Sequence, residues 1–258
     1  MREHIQYVLR SVWFCLGHYR FSLFRPRLLI SIVKAGYRNQ LNFMRRTSRL
    51  RTVLGTDTRT LEQVLKESKT VLNYCAEQSQ RYGSPSPALI NLSFGPVLYT
   101  VVRILRPEIV IETGVGSRFS TTFLLSALER NGAGRLYSID LLRPRENQLP
   151  EGESTGWLVP NKLKDRWGFI SGEARQELPT LLDRLDKVGC FFHDSDHNYK
   201  FMSWEFALVY PRLRNGGFLL SGDTTFNRAW EDFVHQHRDP SSRIHRLGLL
   251  KKAIISSC

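Results

Sequence analysis

Cysteine is scarce in this chain of 258 residues: the four cysteines stand far apart, at positions 15, 75, 190 and 258. They form no Cys-x-x-Cys pair and no Cys/His group with the spacing of a zinc site, which excludes the zinc modules recognisable from sequence. We therefore expect free thiols in a reducing compartment. Glycine and proline, with 18 and 11 residues, are near average, which excludes a collagen-like or low-complexity chain.

Long apolar runs without charge are also rare. Arg10 and Arg20 confine the first of them to nine residues, so we expect no secretory signal peptide. The run 82–102 has 21 residues and no charge, but its prolines, serines and asparagine make it a poor membrane span. The sequence predicts a cytoplasmic protein, either soluble or peripheral at a membrane surface.

Acidic residues are almost absent from the first fifth of the chain. Residues 1–51 carry eleven Lys/Arg and one acid, Glu3, so they contribute +10 to a net charge of +13. Apolar residues at helical spacing accompany this charge (Ile5, Val8, Leu9, Val12, Trp13 and Leu16). We define residues 1–56 as the N-terminal extension, a basic amphipathic segment. It could bind an anionic membrane surface, or pack on its own domain or on a second copy of the chain. No nucleic-acid-binding module is recognisable in it.

Residues 57–258 are predicted to form one α/β domain. A first helix at 58–80 has an apolar stripe and a capping box between Thr60 and Gln63, and a second helix ends near Leu105. Short apolar strands and helices then alternate, with strands at 109–115, 135–140, 168–171, 190–194 and 217–222, helices at 119–130, 175–187, 199–213 and 226–236, and a hairpin at 243–256. This order predicts a doubly wound, Rossmann-like, mostly parallel seven-stranded sheet with a C-terminal antiparallel hairpin.

The first strand ends in a glycine turn of the kind that approaches a cofactor. In such sheets ligands bind at the carboxyl ends of the strands. Gly114 and Gly116 would let the backbone come close to the ligand, and Glu112 would repel a diphosphate. The turn therefore favours a cofactor with a cationic amino-acid part, with a plain strand-to-helix turn as the alternative. Asp140 ends the next strand, where a carboxylate can hold both ribose hydroxyls.

Polar residues also follow the later strands. Glu173 and Ala174 stand in a short turn that could meet an adenine edge. Two acids and two histidines lie between positions 193 and 197, and Asp223 ends the next strand. Asp194 and Asp223 could share a Mg²⁺ ion. His197 is the candidate general base, because its ordinary pKa lies near neutrality; the alternative is a residue that caps its own helix.

At these residues the sequence resembles the class I S-adenosylmethionine-dependent methyltransferases, and most of all the small-molecule O-methyltransferases of catechol and macrolide-sugar type. The resemblance covers about 87–257 and depends on the glycine turn, the acid at 140, the run 192–199 and the Asn-Gly-Gly turn at 215–217. It implies contacts to S-adenosylmethionine from Glu112, Gly114, Gly116, Ser120, Asp140, Glu173, Ala174 and Asp194. It implies metal ligation by Asp194 and Asp223, with His197 and Asp194 as catalytic residues.

Two departures from the family's pattern bear on the metal. His193 stands where an apolar residue is usual, and Thr224 replaces the acid or asparagine that would complete the ligand set. We expect methyl transfer to a hydroxyl of a small sugar-like or phenolic acceptor, with His197 as base and with or without Mg²⁺. The stretch 141–166 is long for a loop, and it is either a lid over the acceptor or a surface insertion.

Three other functions fit parts of the sequence. A nucleic-acid methyltransferase would suit the basic extension, but the Asn/Asp-Pro-Pro-aromatic run of amino-directed enzymes is missing at the fourth strand. A binding protein that has lost catalysis is a second alternative, against which the retained Asp194, His197 and Asp223 argue. An iron oxygenase could use two carboxylates and one histidine, but it would not need a cofactor site beside them.

Overall fold

The structure, a computed structural model, describes residues 47–81, 87–115, 119–141 and 156–254, without the side chains of 79–81 and 87–93. The chain divides into two compact units, 1–49 and 50–258. Of the first unit only 47–49 are described, and they are helical. The predictions for the N-terminal extension therefore lie almost entirely outside the described residues. No helix in the described ranges is both long and apolar enough to span a membrane.

Besides the helical residues 50–54, the second unit contains six α-helices and seven strands among its described residues. The helices are α1 (Thr58–Arg81), α2 (Pro87–Leu105), α3 (Phe119–Asn131), α4 (Ala174–Arg184), α5 (Tyr199–Val209) and α6 (Ala229–His237). The strands are β1 (Ile109–Thr113), β2 (Arg135–Asp140), β3 (Trp167–Ser171), β4 (Val188–His193), β5 (Leu213–Ser221), β6 (Ser241–Ile244) and β7 (Leu247–Lys251). Short 3-10 helices at Asn161–Arg166 and Tyr210–Arg212 precede β3 and β5.

The strands form one sheet in the order β3-β2-β1-β4-β5-β7-β6. The first five pair in parallel, while β7 is antiparallel to both β5 and β6. The predicted fold class is confirmed: a doubly wound sheet closed by an antiparallel hairpin. The order reverses between β1 and β4, so the carboxyl ends of these strands border the crevice where ligands of such sheets bind.

Apolar side chains alternate along the central strands and so cover both faces of the sheet. Phe192 and Leu220 pack with α1–α3 on one face, whereas Phe191 and Leu219 pack with α4–α6 on the other. A strand places successive side chains on opposite faces, so a strand buried on both faces is apolar throughout. At β1 this run is interrupted by Glu112, which is fully buried and belongs to the site.

Helix α1 begins one residue after a cap that the sequence analysis missed. Asp57 accepts a hydrogen bond from the Thr60 backbone N–H (2.9 Å) and another from the Thr60 hydroxyl (2.6 Å). The predicted capping box between Thr60 and Gln63 is therefore wrong, because the carboxylate of Asp57 already satisfies the free N–H at position 60. The apolar stripe is confirmed, with Leu61 and Cys75 almost wholly buried.

Strand β5 begins four residues earlier than predicted. Val188 pairs with Leu213 and Cys190 with Phe218, so residues 214–217 stand opposite Gly189 alone. Gly216 has a φ of +73°, which a glycine adopts without steric cost. The Asn-Gly-Gly sequence is therefore an irregularity within the strand rather than a turn before it. Differences of one to three residues occur at β1, β3, β4, α3, α4 and α6. Helix α5 ends four residues before its predicted end, and the hairpin strands lie within 241–251 rather than 243–256.

The long stretch 141–166 is packed against the domain at its end. Leu158, Val159 and Leu163 are buried, and the Tyr74 hydroxyl of α1 donates to the Leu158 carbonyl (3.1 Å). Buried apolar contacts of this kind hold 156–166 on the α1–α3 face of the sheet. The lid interpretation is therefore wrong for 156–166, and residues 142–155 lie outside the described ranges.

Candidate active site

Glu112 is held beneath the carboxyl end of β1 by hydroxyl groups. Its Oε2 accepts hydrogen bonds from Thr121 (2.7 Å) and Ser138 (2.8 Å), and Ser120 also hydrogen-bonds to the carboxylate. Burial raises the pKa of Glu112 to about 7, and these hydroxyl groups oppose that rise. The buried Oε1 has no hydrogen-bond partner among the described residues, so a cationic donor would satisfy it.

The glycine turn brings β1 and β2 together at the site. Gly114 has a φ of +82°, and a Cβ atom placed there would lie 2.2 Å from the Asp194 carbonyl oxygen. No other residue type fits this turn without moving the end of β4. The next backbone N–H, of Val115, donates to Asp140 Oδ2 (3.0 Å). Gly116, the second predicted glycine, lies outside the described residues.

Asp140 and the turn after β3 occupy the same edge of the sheet. The Leu141 N–H donates to Asp140 Oδ1 (2.7 Å), and the Gly172 N–H donates to the Asp140 carbonyl (3.1 Å). Glu173 is the exposed residue before α4, and Ala174 is half-buried at its first position. The structure thus places the predicted ribose and adenine positions on adjacent strand ends.

Asp194, His197 and Asp223 meet at the ends of β4 and β5. His197 Nε2 lies 3.4 Å from Asp223 Oδ2 and 4.0 Å from Asp194 Oδ1. Gly222 leaves room for the Asp194 carboxylate, since a Cβ there would lie 2.3 Å from Asp194 Oδ1. Asp223 itself adopts a left-handed φ of +50°, a conformation that aspartate tolerates better than most residues.

The three side chains share a negative, poorly solvated environment. The pKa of Asp194 lies well above its ordinary value, first because it is buried and then because Asp223 and Glu112 repel its charge. Burial and the nearby His193 lower the pKa of His197, which Asp223 partly offsets. The lowered pKa favours the neutral imidazole of His197, which is the form that can accept a proton. His197 does not cap α5, because Asn198 accepts the Phe201 N–H in that role.

A buried acid explains the unusual histidine at position 193. His193 Nδ1 lies 2.5 Å from Glu205 Oε2 on α5, and the Thr113 hydroxyl donates to the same oxygen (2.9 Å). All three side chains are fully buried. Low dielectric makes such a pair costly unless both partners are present, so Glu205 and His193 fix the end of β4 together. The sequence signal for Glu205 was a lone acid inside an apolar helix.

Arg246 is a second site residue that the sequence analysis missed. It occupies the turn between β6 and β7, and its guanidinium contacts Asp223 Oδ1. The Thr224 hydroxyl donates to the Arg246 carbonyl (2.9 Å) and is not turned toward the aspartates. No local pattern marked Arg246, because it reaches the site from 23 positions beyond Asp223 through the pairing of the hairpin with β5.

The predicted metal site has the spacing for a divalent cation but not the ligand chemistry. Ligand atoms of Asp194, His197 and Asp223 lie within 4.8 Å of one another, which is close enough for a shared ion. However, a guanidinium already touches one of the Asp223 oxygens, and Mg²⁺ prefers several oxygen ligands to an imidazole. The hydroxyl of Thr224 is used elsewhere. These residues therefore do not fit a Mg²⁺ ion.

Comparisons with known proteins agree with this geometry. Residues 111–224 match the family model described as a methyltransferase domain. A comparison with curated protein sequences returns no significant match. Among solved structures, a candidate O-methyltransferase from Klebsiella pneumoniae is 15% identical, with 71% of this chain and 90% of that chain covered and a TM-score of 0.50.

Two further solved structures are similar at lower TM-scores. An O-methyltransferase from Bacillus cereus in complex with SAH is 16% identical, covering 79% of this chain and 95% of that chain, with a TM-score of 0.48. The O-methyltransferase TomG from Streptomyces achromogenes, in complex with SAM, is 19% identical, covering 63% and 69%, with a TM-score of 0.46. Likeness at this level concerns the fold alone.

The family match spans β1 to the residue after Asp223, which is the part of the sheet that carries the strand-end acids. This part of the chain therefore matches a methyltransferase domain, and the sheet has the topology that the resemblance stated from the sequence implies.

Proposed function

We propose that this chain transfers a methyl group from S-adenosylmethionine to a hydroxyl of a small acceptor, with His197 as the general base. The observation that carries the proposal is the position of His197 Nε2, 3.4 Å from Asp223 Oδ2 and beside Asp194 at the end of β4. A base there stands next to the cofactor edge formed by β1 and β2. Proton removal by a positioned histidine is worth about 10²- to 10⁴-fold in rate.

The charge of the crevice supports S-adenosylmethionine as the cofactor. Glu112 leaves a buried oxygen without a partner, and Asp194 is crowded by two other carboxylates. A ligand with a cationic amino-acid part would relieve both conditions. When bound, S-adenosylmethionine supplies an electrophilic methyl carbon on a sulfonium. We assign Glu112, Gly114, Gly116 and Ser120 to its methionine part, Asp140 to the ribose, and Glu173 with Ala174 to the adenine.

The protonation state of His197 supports its role as base. Its lowered pKa favours the neutral imidazole, the form that can take the acceptor's hydroxyl proton at neutral pH. Asp223, 3.4 Å away, would stabilise the imidazolium that results. His193 and Glu205 hold the preceding strand end in place, and Asn227 donates to the His197 carbonyl (2.8 Å). These contacts orient the base toward the crevice, which alignment of an attacking oxygen requires.

An exposed aromatic ring beside the base supports a small cyclic acceptor. Phe226 is 59% exposed, and its ring centroid lies 5.6 Å from that of His197. A large exposed aromatic next to catalytic polar groups is typical of a ligand-contacting surface. A phenol or a sugar could place one face on this ring while its hydroxyl meets His197.

Methyl transfer to matched acceptors tests the proposal. Purified protein would be incubated with methyl-labelled S-adenosylmethionine and a panel of phenols and sugars, each paired with an analogue in which an amino group replaces the hydroxyl. We expect label only in hydroxyl acceptors, lost in His197→Ala and retained in His235→Ala, an exposed histidine of α6. Label in the amino analogues or in an added DNA duplex would contradict the proposal.

Attachment of the N-terminal extension to a membrane, which its charge suggests, stays a separate proposal. Liposome co-sedimentation of the full chain, with and without anionic lipid, tests it, because polybasic attraction depends on anionic headgroups. Recovery in the supernatant with both lipid compositions would contradict it.

A further inference from the structure

Arg246 is fixed in the site by its own backbone. It follows His245 in the tight turn of the β6–β7 hairpin, where His245 has a left-handed φ of +57°. The Arg246 carbonyl accepts hydrogen bonds from both the N–H (3.0 Å) and the hydroxyl (2.9 Å) of Thr224. The residue that departs from the family's ligand pattern is therefore the one that secures the arginine.

The guanidinium is held equally firmly. It contacts Asp223 Oδ1, and its central carbon lies 4.6 Å from the centroid of the Phe226 ring. An ion pair on one side and a cation–π contact on the other leave the group little freedom. The side chain is 32% exposed, so part of it remains accessible.

A positive charge at this position can offset the negative charges of the two aspartates, as a metal ion would otherwise do. Asp194 and Asp223 lie close together with little solvent, and their mutual repulsion favours any cation between or beside them. A guanidinium has five N–H donors, of which the contact with Asp223 uses only some. The remainder can face an oxygen that develops negative charge.

We propose that Arg246 replaces the divalent cation of this site, so that methyl transfer by this chain is metal-independent. This inference rests on the proposed function and extends it. Arg246 acts as a positioning residue: it orients Asp223 against His197, and its charge offsets that of the two aspartates. The acceptor's proton goes to His197 Nε2, the oxygen takes the methyl carbon, and the sulfonium leaves as a neutral thioether. This transfer requires no metal ion.

The first test is a cation titration that does not depend on activity. Mn²⁺, followed by its electron paramagnetic resonance signal, would be titrated into the wild type, Arg246→Ala and the matched surface variant Arg243→Ala. We expect no stoichiometric binding up to about 1 mM in the wild type and Arg243→Ala, because the guanidinium repels the ion. Arg246→Ala should bind Mn²⁺, and Asp223→Asn in that background should remove the binding. Stoichiometric binding by the wild type would overturn the proposal.

The second test measures transfer to a hydroxyl acceptor found by the labelled-methyl panel. We expect the wild-type rate to be the same with a chelator as with Mg²⁺. Arg246→Ala should lose at least about tenfold in rate, because small misplacements of the groups it positions are costly, and Arg246→Lys should recover part of it. Affinity for S-adenosylhomocysteine should not change. A chelator-sensitive wild type, or an unaffected Arg246→Ala, would overturn the proposal.

The proposed function and the replacement of the metal ion by Arg246 can be contradicted separately. If the wild type binds no S-adenosylhomocysteine, the proposed function is wrong whatever the Mn²⁺ titration gives. If it binds the cofactor product and also binds Mn²⁺ at the aspartates, only the replacement by Arg246 is wrong.

Discussion

The two sides of the crevice obtain their charges in different ways. On the β1–β2 side, Glu112 and Asp140 are held by hydroxyls and backbone N–H groups of adjoining strands and turns. On the β4–β5 side, Asp194 and Asp223 face a histidine and, from the hairpin, Arg246. The hydrogen-bond donors to Glu112 are neutral hydroxyls, whereas a guanidinium contacts Asp223 on the second side. The difference indicates that Glu112 could pair with a cationic ligand and that the β4–β5 side has a positive charge of its own.

If this division is correct, substitutions on one side should change cofactor affinity and those on the other should change the rate. His197→Ala gives the largest effect. We expect the rate of methyl transfer to fall by at least about 100-fold, because the acceptor loses its base, while S-adenosylhomocysteine affinity stays within about twofold. Calorimetry and single-turnover assays measure the two quantities. A rate within about threefold of the wild type would remove His197 from the mechanism.

Gly114→Ala should not follow this division between affinity and rate, because Gly114 lies against both sides of the crevice. Its Cβ would lie 2.2 Å from the Asp194 carbonyl oxygen, so the turn after β1 must move away from the end of β4. Both cofactor affinity and rate should fall by at least about tenfold, since small misplacements at a site are costly. Gly132→Ala is the matched control: its φ of +71° imposes a similar backbone strain, but its Cβ meets nothing within 4 Å. Equal losses in both variants would attribute the effect to strain alone.

The pH dependence of kcat/KM in the wild type should report the pKa of His197 on the β4–β5 side of the crevice. Burial lowers the pKa of His197 below 6.5, so the neutral base persists into mildly acidic solution. We expect kcat/KM to be flat near pH 7 and to fall about tenfold per pH unit below a midpoint under 6.5. Asp223→Asn removes a charge that raises this pKa, so the midpoint should move further down. A midpoint above 7 would contradict the assignment.

The smallest effect is expected on the thermal stability of the variant Glu112→Gln. The pKa of Glu112 is about 7 in the folded protein, above its unfolded value of roughly 4.3, so its charge destabilises the fold as pH rises. Glu112→Gln should therefore gain in Tm relative to the wild type between pH 5 and pH 8, by about 5 °C. Saturating S-adenosylmethionine should reduce that gain if its cationic part pairs with Glu112. A Tm difference independent of pH would contradict the raised pKa.

The fold and the β1–β2 side could be predicted from the sequence because their determinants are local. A short apolar run, followed by glycines or an acid, defines both a strand and the end of that strand. Glu112 and Asp140 each stand at the end of such a strand. The same reasoning found Asp194 and Asp223, so the positions of all the strand-end acids followed from one rule.

The parts that the sequence did not reveal depend on contacts between distant segments. Arg246 reaches Asp223 because β7 pairs with β5, and nothing near position 246 indicates that pairing. Glu205 meets His193 through the packing of α5 on β4. The early start of β5 at Leu213 depends on an irregular pairing with β4 that no periodic pattern marks. Tertiary contact, more than local propensity, decided each of these features.

The most direct test of the central claim is calorimetric titration of S-adenosylhomocysteine into the wild type, Asp140→Ala and Asp183→Ala, the last an exposed acid of α4. We predict micromolar binding by the wild type and Asp183→Ala. Binding to Asp140→Ala should be at least about tenfold weaker, because a charged hydrogen-bond acceptor is lost from the ribose position. Absence of binding in the wild type, or equal affinity in Asp140→Ala, would contradict a cofactor site at the ends of β1 and β2.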